Sequence, residues 1–177
     1  MDNESKPQTA TTVSRNCTLT SFKSLLDATP AWISKASQAI AFLNSEFKIF
    51  NWIGYYFVQD TQLHLGPFIG QVACNPLHIG RPGVCAHAYR EASAIYIPDV
   101  EKFPGHIACD SRSRSEWVFP LKNQEGKIYA LLDIDSPVVA AADEIDQICL
   151  TDLVRHLEEQ LSKINEAQLS SVVALNR

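Results

Sequence analysis

The sequence predicts a single α+β domain, a central antiparallel sheet with an N-terminal and a C-terminal helix on one face and the function-bearing loops on the other. Three observations carry this. Apolar residues recur at helical spacing near both ends of the chain, two pairs of branched and aromatic runs are joined by short polar turns, and a long irregular middle separates the pairs.

Residues 1–16 are polar, rich in Thr, Ser and Asn, and predict an unstructured tail. A helix is expected next, with Thr29 as N-cap, Pro30 at its first position and Ile33, Ala36, Ile40, Leu43 and Phe47 on its apolar face. The runs NWIGYYFV (Asn51–Val58) and LHLGPF (Leu63–Phe68), separated by QDTQ, predict a first hairpin. Gly70–Ser115 has no sustained period and holds four of the seven glycines; it reads as loops around a short helix at Val84–Glu91 and a strand at Ala94–Ile97. Loops this long usually carry function. SEWVFPL (Ser115–Leu121) and KIYALLDIDS (Lys127–Ser136) flank an NQEG turn as a second hairpin. A long amphipathic helix from Asp143 to about Glu166 follows, its stripe made of Ile145, Cys149, Leu153, Leu157, Leu161 and Ile164. The domain is expected over residues 17–168, with a short tail at 169–177.

A chain of 177 residues, 46% hydrophobic, is long enough for one real core. Its net charge of −5 and its lack of any Lys/Arg-rich block argue against nucleic acid as a partner. No apolar stretch is long enough to span a bilayer, and Asp2 and Glu4 stand where a targeting peptide would carry positive charge. The expectation is a soluble, cytoplasmic, uncleaved protein with no membrane partner.

Five cysteines, with no CxxC pair, suit a reducing compartment. Cys149 lies on the core stripe of the last helix and reads as a small hydrophobe, and Cys17 follows the polar tail. Cys74 (QVACNPL), Cys85 (RPGVCAH) and Cys109 (HIACDS) fall in the irregular middle and are the candidates for chemistry. Cys85, His87, His106 and Cys109 offer zinc-ligand atoms but lack the paired short spacings of zinc knuckles, so no metal is expected. Redox chemistry needs one thiolate that attacks and a second thiol that can reach it. Arg112, Arg114 or backbone N–H groups beside Cys109 could lower its pKa, although the arginines equally suit solvated loop charges.

In KIYALLDIDS the strand period of two puts Asp133 and Asp135 on one face with Tyr129 and Leu131, and Leu132 and Ile134 on the other. Glu116 begins the preceding strand, so the hairpin can bring three carboxyls together near one cysteine. Like charges that close resist joint ionisation, which leaves one carboxyl able to stay protonated near neutrality. The alternative is that the aspartates solvate the strand end and cap the loop at Ser136-Pro137. Thiol plus acid groups able to bind an ammonium or protonate an oxygen suit a small zwitterionic substrate with a leaving oxygen.

The motifs NWIGYYFV, LGPFIGQVAC, GVC, IPDV, FPGHIACDS, SRSE and LLDIDSP, in this order from about Asn51 to Pro137, resemble the free methionine-R-sulfoxide reductases, stand-alone domains of the GAF fold. The resemblance implies an oxidoreductase that reduces free methionine-R-sulfoxide, an oxidative-stress product, without metal or organic cofactor and with thioredoxin as reductant. It implies that Cys109 attacks the sulfoxide sulfur and is left as a sulfenic acid, which Cys85 or Cys74 condenses with to a redox-active disulfide. Which of the two resolves, and whether Cys85 rather than Cys109 attacks first, stays open. Glu116, Asp133 and Asp135 match the carboxyls that hold the ammonium and assist protonation of the oxygen; Trp52 and Tyr56 match the aromatics at the thioether end. The chain departs from the family's GRGVCG in reading GRPGVCAH, with Pro82 an extra residue and Ala86 in place of glycine. A competing expectation is a non-catalytic GAF module that senses a small ligand. The last helix could also pack in a homodimer.

Overall fold

The computed structural model describes residues 9–105, 111–145, 147–164 and 168. Its elements are α1 (Thr9–Asp27), α2 (Trp32–Glu46), β1 (Trp52–Gln59), β2 (Gln62–Ile69), β3 (Leu77–His78), α3 (Val84–Glu91), β4 (Ile95–Ile97), β5 (Ser115–Lys122), β6 (Ile128–Ser136) and α4 (Gln147–Leu161), with single 3-10 turns at Val100–Lys102 and Ala141–Glu144. The strands form one sheet in the order β3-β2-β1-β6-β5-β4, every neighbouring pair antiparallel. The two predicted hairpins therefore lie side by side, joined where β1 meets β6.

Both hairpin turns follow from their residues. Gln59 pairs with Gln62 across Asp60-Thr61, and Asp60 takes a left-handed φ of 53° that a short polar side chain tolerates. In the second turn Asn123 Oδ1 accepts hydrogen bonds from the backbone N–H of Glu125 and of Lys127, and Gly126 supplies a φ of 80°.

Alternation along the strands builds two apolar layers. Ile53, Tyr55 and Phe57 of β1 face the helices with Trp117, Leu132 and Ile134; Phe22 and Leu26 of α1, Ala36, Ala39, Ile40 and Leu43 of α2, and Leu150, Leu153 and Leu157 of α4 close over them. Each fully buried leucine there is worth about 1.5–3 kcal/mol relative to exposure. Trp52, Tyr56, Leu63, Val118 and Leu131 point to the opposite face, where Val84, Cys85 and Ala88 of α3 cover them. The α4 stripe is consumed by the chain's own core.

Several boundaries differ from expectation. The helical backbone of α1 starts at Thr9, inside the segment whose composition predicts a tail, because Leu19, Phe22 and Leu26 anchor the helix on the core and it propagates back from there. Residues 1–8 and 169–177 lie outside the described residues. Thr29 does not cap α2: its hydroxyl donates to Leu25 O, so it closes α1, and α2 begins at Trp32 after Ala31 with no side-chain cap. Residues 141–144 form a 3-10 turn, and the last helix begins at Gln147. Among the described residues no helix is long and apolar enough to cross a membrane.

Candidate active site

The sheet face opposite the three long helices carries a cavity of about 230 Å³ that opens to solvent. Its floor comes from the middle strands: Trp52 and Tyr56 of β1, Glu116 of β5, and Asp133 and Asp135 of β6 all line it. Register explains the convergence, since Asp135 is opposite both Trp52 and Glu116 while Asp133 is opposite Gly54 and Val118. The roof is the segment Val72–Leu77 and the first turn of α3, which brings Cys74 to the rim and Cys85 over the carboxyls. Ser113, seven-hundredths exposed, completes the wall and accepts a hydrogen bond from Asn51 Nδ2 at 3.3 Å.

The aromatic wall also holds the roof in place. Trp52 stacks on Tyr56 and on Phe68, with ring centroids 6.1 and 5.6 Å apart. Trp52 Nε1 donates to Gln71 O and the Tyr56 hydroxyl to Cys74 O, each at 3.0 Å, so both polar tips tie down the segment bearing Cys74. Gly54 lets the indole lie where it does. A β-carbon there would come within 2.4 Å of Trp52 Cη2 and 2.6 Å of Phe68 Cβ.

Cys85, Glu116 and Asp133 form the centre, each offering one ligand-type atom within 4.8 Å of the others, and all three are buried. The Cys85 thiol and the Glu116 carboxyl both hydrogen-bond to Asp133. Burial lifts the Asp133 carboxyl to about 7, and the hydrogen bonds from Cys85, Glu116 and the Ile134 backbone only partly oppose that rise. Burial, then the charges of Asp133 and Asp135, push Glu116 well above the usual carboxylate range. Burial and then the same group of carboxylates push the Cys85 thiol well up. Near neutral pH this keeps Cys85 a thiol and favours a proton held on the Glu116–Asp133 pair. Such a cluster can hand on a proton but does not hold a ready thiolate at position 85.

Most of the residues that sequence reasoning selected meet here: Trp52, Tyr56, Cys74, Cys85, Glu116, Asp133 and Asp135 line one cavity. Cys109 and His106 lie outside the described residues. His87 is not with Cys85; its ring packs edge-on against Phe103, 5.6 Å away. Tyr129 leaves the Asp133 face, because a bulge where Leu121 pairs with Ala130 and Lys122 with Ile128 resets the alternation and turns Tyr129 toward the helices. Arg114 makes an exposed ion pair with Glu101 at 3.4 Å. Gly54 and Ser113 went unnoticed in the sequence, though a glycine inside the aromatic run NWIGYY signals close approach. Pro82 lines the cavity, and its Cβ lies 2.5 Å from where a β-carbon on Gly105 would stand, so Pro82 packs against Gly105, four residues before Cys109 in the chain.

No family model matches the chain. Comparison with individual proteins is decisive: the chain is 37% identical over 155 residues to the free methionine-R-sulfoxide reductase of Escherichia coli (strain K12), covering 86% of this chain and 92% of that one. The chain belongs to the free methionine-R-sulfoxide reductase family. Within it, the chain is also similar to the Neisseria meningitidis free methionine-R-sulfoxide reductase solved in complex with its substrate, with a TM-score of 0.76 and 32% identity over 97% of this chain and all of that one, 100%. GAF domain-containing protein A of Dictyostelium discoideum is 43% identical over 127 residues, 71% of this chain and 78% of that one. The fold is thus the GAF fold, here with a six-stranded antiparallel sheet.

Proposed function

We propose that the protein reduces free methionine-R-sulfoxide to methionine, with its own cysteines as the immediate reductant. The observation that carries this is the buried set of Cys85, Glu116 and Asp133 meeting in a small cavity with an aromatic wall. A half-buried carboxylate, Asp135, suits the substrate's ammonium, and Trp52 and Tyr56 suit its thioether end. The small volume and the buried carboxyls suit a free amino acid, whose ammonium a peptide-bound residue lacks.

Cys109 is the attacking thiolate in this reading. Two features support it over Cys85. Cys85 is held as a buried thiol by burial and by the neighbouring Asp133, Glu116 and Asp135, and Ser113, four residues beyond Cys109, already lines the cavity, within about 14 Å of chain reach. As the thiolate attacks sulfur, the Glu116–Asp133 pair gives a proton to the sulfoxide oxygen. Oxygen passes to Cys109 as a sulfenic acid and methionine leaves as the thioether, reduced by two electrons. A second thiol then attacks the sulfenic sulfur, and water leaves as the disulfide forms. We assign that thiol to Cys74, which sits half-buried at the rim, where an external thioredoxin-like dithiol can reach the disulfide. A reducing cytoplasm is the setting that suits this cycle.

The test is turnover with separated R and S sulfoxides of methionine, free and peptide-bound, with thioredoxin and its reductase. Consumption of the free R form alone is expected, and Cys109→Ser should abolish it. Turnover unchanged in that variant rejects the attacking role of Cys109; tight binding of a cyclic nucleotide without sulfoxide turnover would favour a sensing module instead.

A further inference from the structure

The Cys85, Glu116 and Asp133 atoms have a second chemical capacity. Thiolate with two carboxylates is a ligand set for a borderline-soft divalent cation. Separations of up to 4.8 Å must contract to about 3.3–3.7 Å around a tetrahedral zinc, a small movement for three side chains. Each ligand stands on a different rigid element: Cys85 on the first turn of α3, Glu116 on β5 and Asp133 on β6. A second feature points to a ligand. Asp133, only 7% exposed, has an Oδ1 that is buried with no hydrogen-bond partner among the described residues, and its side chain lines the cavity. A buried acceptor left idle is costly unless something charged or donating takes it up.

We propose that Cys85, Glu116 and Asp133 form a site for one soft divalent cation, zinc in kind, with the fourth position open to the cavity. The set differs from the Cys85, His87, His106 and Cys109 combination that the sequence offers, since His87 faces Phe103 instead. Binding displaces the thiol proton of Cys85 and any proton held between the Glu116 and Asp133 carboxyls, so a 2+ charge meets three anionic ligands. The consequence rests on the function proposed above: a cation seated there occupies the carboxyls that serve the substrate and turns the enzyme off until a chelator or a stronger site removes the metal.

Cadmium is the probe, because a bond to thiolate adds an ultraviolet charge-transfer band. Titration of the reduced full chain with Cd²⁺ in chelator-free buffer should saturate at one ion per chain with the band of a single thiolate. Cys85→Ser should remove the band, Glu116→Gln and Asp133→Asn should each weaken binding at least tenfold, and Cys149→Ser should leave both unchanged. Circular dichroism confirms that each variant is folded, and Cys85→Ala repeats the test with a smaller side chain. A band that survives both Cys85 variants, or one lost instead in Cys74→Ser or Cys109→Ser, overturns the site, as does the absence of saturable binding. The spectrum needs no turnover, so a chain that binds Cd²⁺ in this way but leaves sulfoxides intact keeps the metal site and rejects the proposed reaction. Loss of sulfoxide turnover with one equivalent of Zn²⁺, restored by a chelator, would establish the off-switch; full turnover with Zn²⁺ bound would refute it.

Discussion

Gly54 lies directly beneath the indole of Trp52, so close that a single β-carbon would stand 2.4 Å from the ring. The pair sets the shape of the cavity wall, because Trp52 in turn stacks on Tyr56 and anchors Gln71. Gly54→Ala should displace the indole and destabilise the fold by about 1–3 kcal/mol, the usual cost of overpacking. Denaturant unfolding measures the loss, and an unchanged midpoint would show that the ring gives way freely. The proposed reaction predicts a raised KM in the same variant.

Tyr56→Phe removes the bond to Cys74 O while keeping the ring. The stability cost should be about 1 kcal/mol, a shift of roughly 2–4 °C in Tm for a chain of this size. The larger effect is expected on the loop, with slower formation of the proposed Cys74–Cys109 disulfide after one equivalent of sulfoxide. Thiol counting by mass spectrometry follows it; a rate equal to wild type would free Tyr56 from any role in holding Cys74.

Asp133 gives the fold a pH signature. Its folded pKa of about 7 lies above the value of an unfolded aspartate, near 3.9, so between these limits the folded state binds more protons than the unfolded one. Its contribution to stability is therefore full below about pH 4, falls as pH rises, and is lost once pH passes about 7. Asp133→Asn should flatten that part of the profile. Urea unfolding from pH 4 to 8 provides the comparison, and parallel curves for the two proteins would contradict the raised value.

Glu116→Gln keeps the shape of a buried side chain whose protonated form is favoured by burial and by the neighbouring Asp133 and Asp135, but it removes the acid proton. If that proton goes to the sulfoxide oxygen, kcat should drop by about 10²–10⁴, the range for a general acid, with much less change in KM. A fall in affinity for free methionine at constant kcat would assign Glu116 to the ammonium instead.

The floor of the site was legible because it obeys short rules. Period-two alternation put Asp133 and Asp135 on one face, and the NQEG turn carried Glu116 alongside them. Alternation failed at Tyr129, where one bulge flips the side chain to the helix side without leaving a mark in the sequence. Thr29-Pro30 misled for a different reason: a threonine hydroxyl serves the end of one helix as well as the start of the next, and here Leu25 O takes it. The helical backbone of residues 9–16 was hidden by polar composition, since what anchors it lies further along at Leu19, Phe22 and Leu26. The meeting of Cys85 with Glu116 and Asp133 depends on how α3 docks on β5 and β6, a long-range packing event that no local pattern encodes.

The sheet is joined at its middle by β1 against β6, its first and last strands in chain order. Trp52 and Asp135 become neighbours only when nearly the whole domain has been synthesised. A growing chain on the ribosome can form the first hairpin early, yet it holds no pocket until Ser136 has emerged and the last strand slots in beside the first. Nascent and truncated forms ending before that strand are thus inert by construction, and so many distant pairings make the search for the native state comparatively slow.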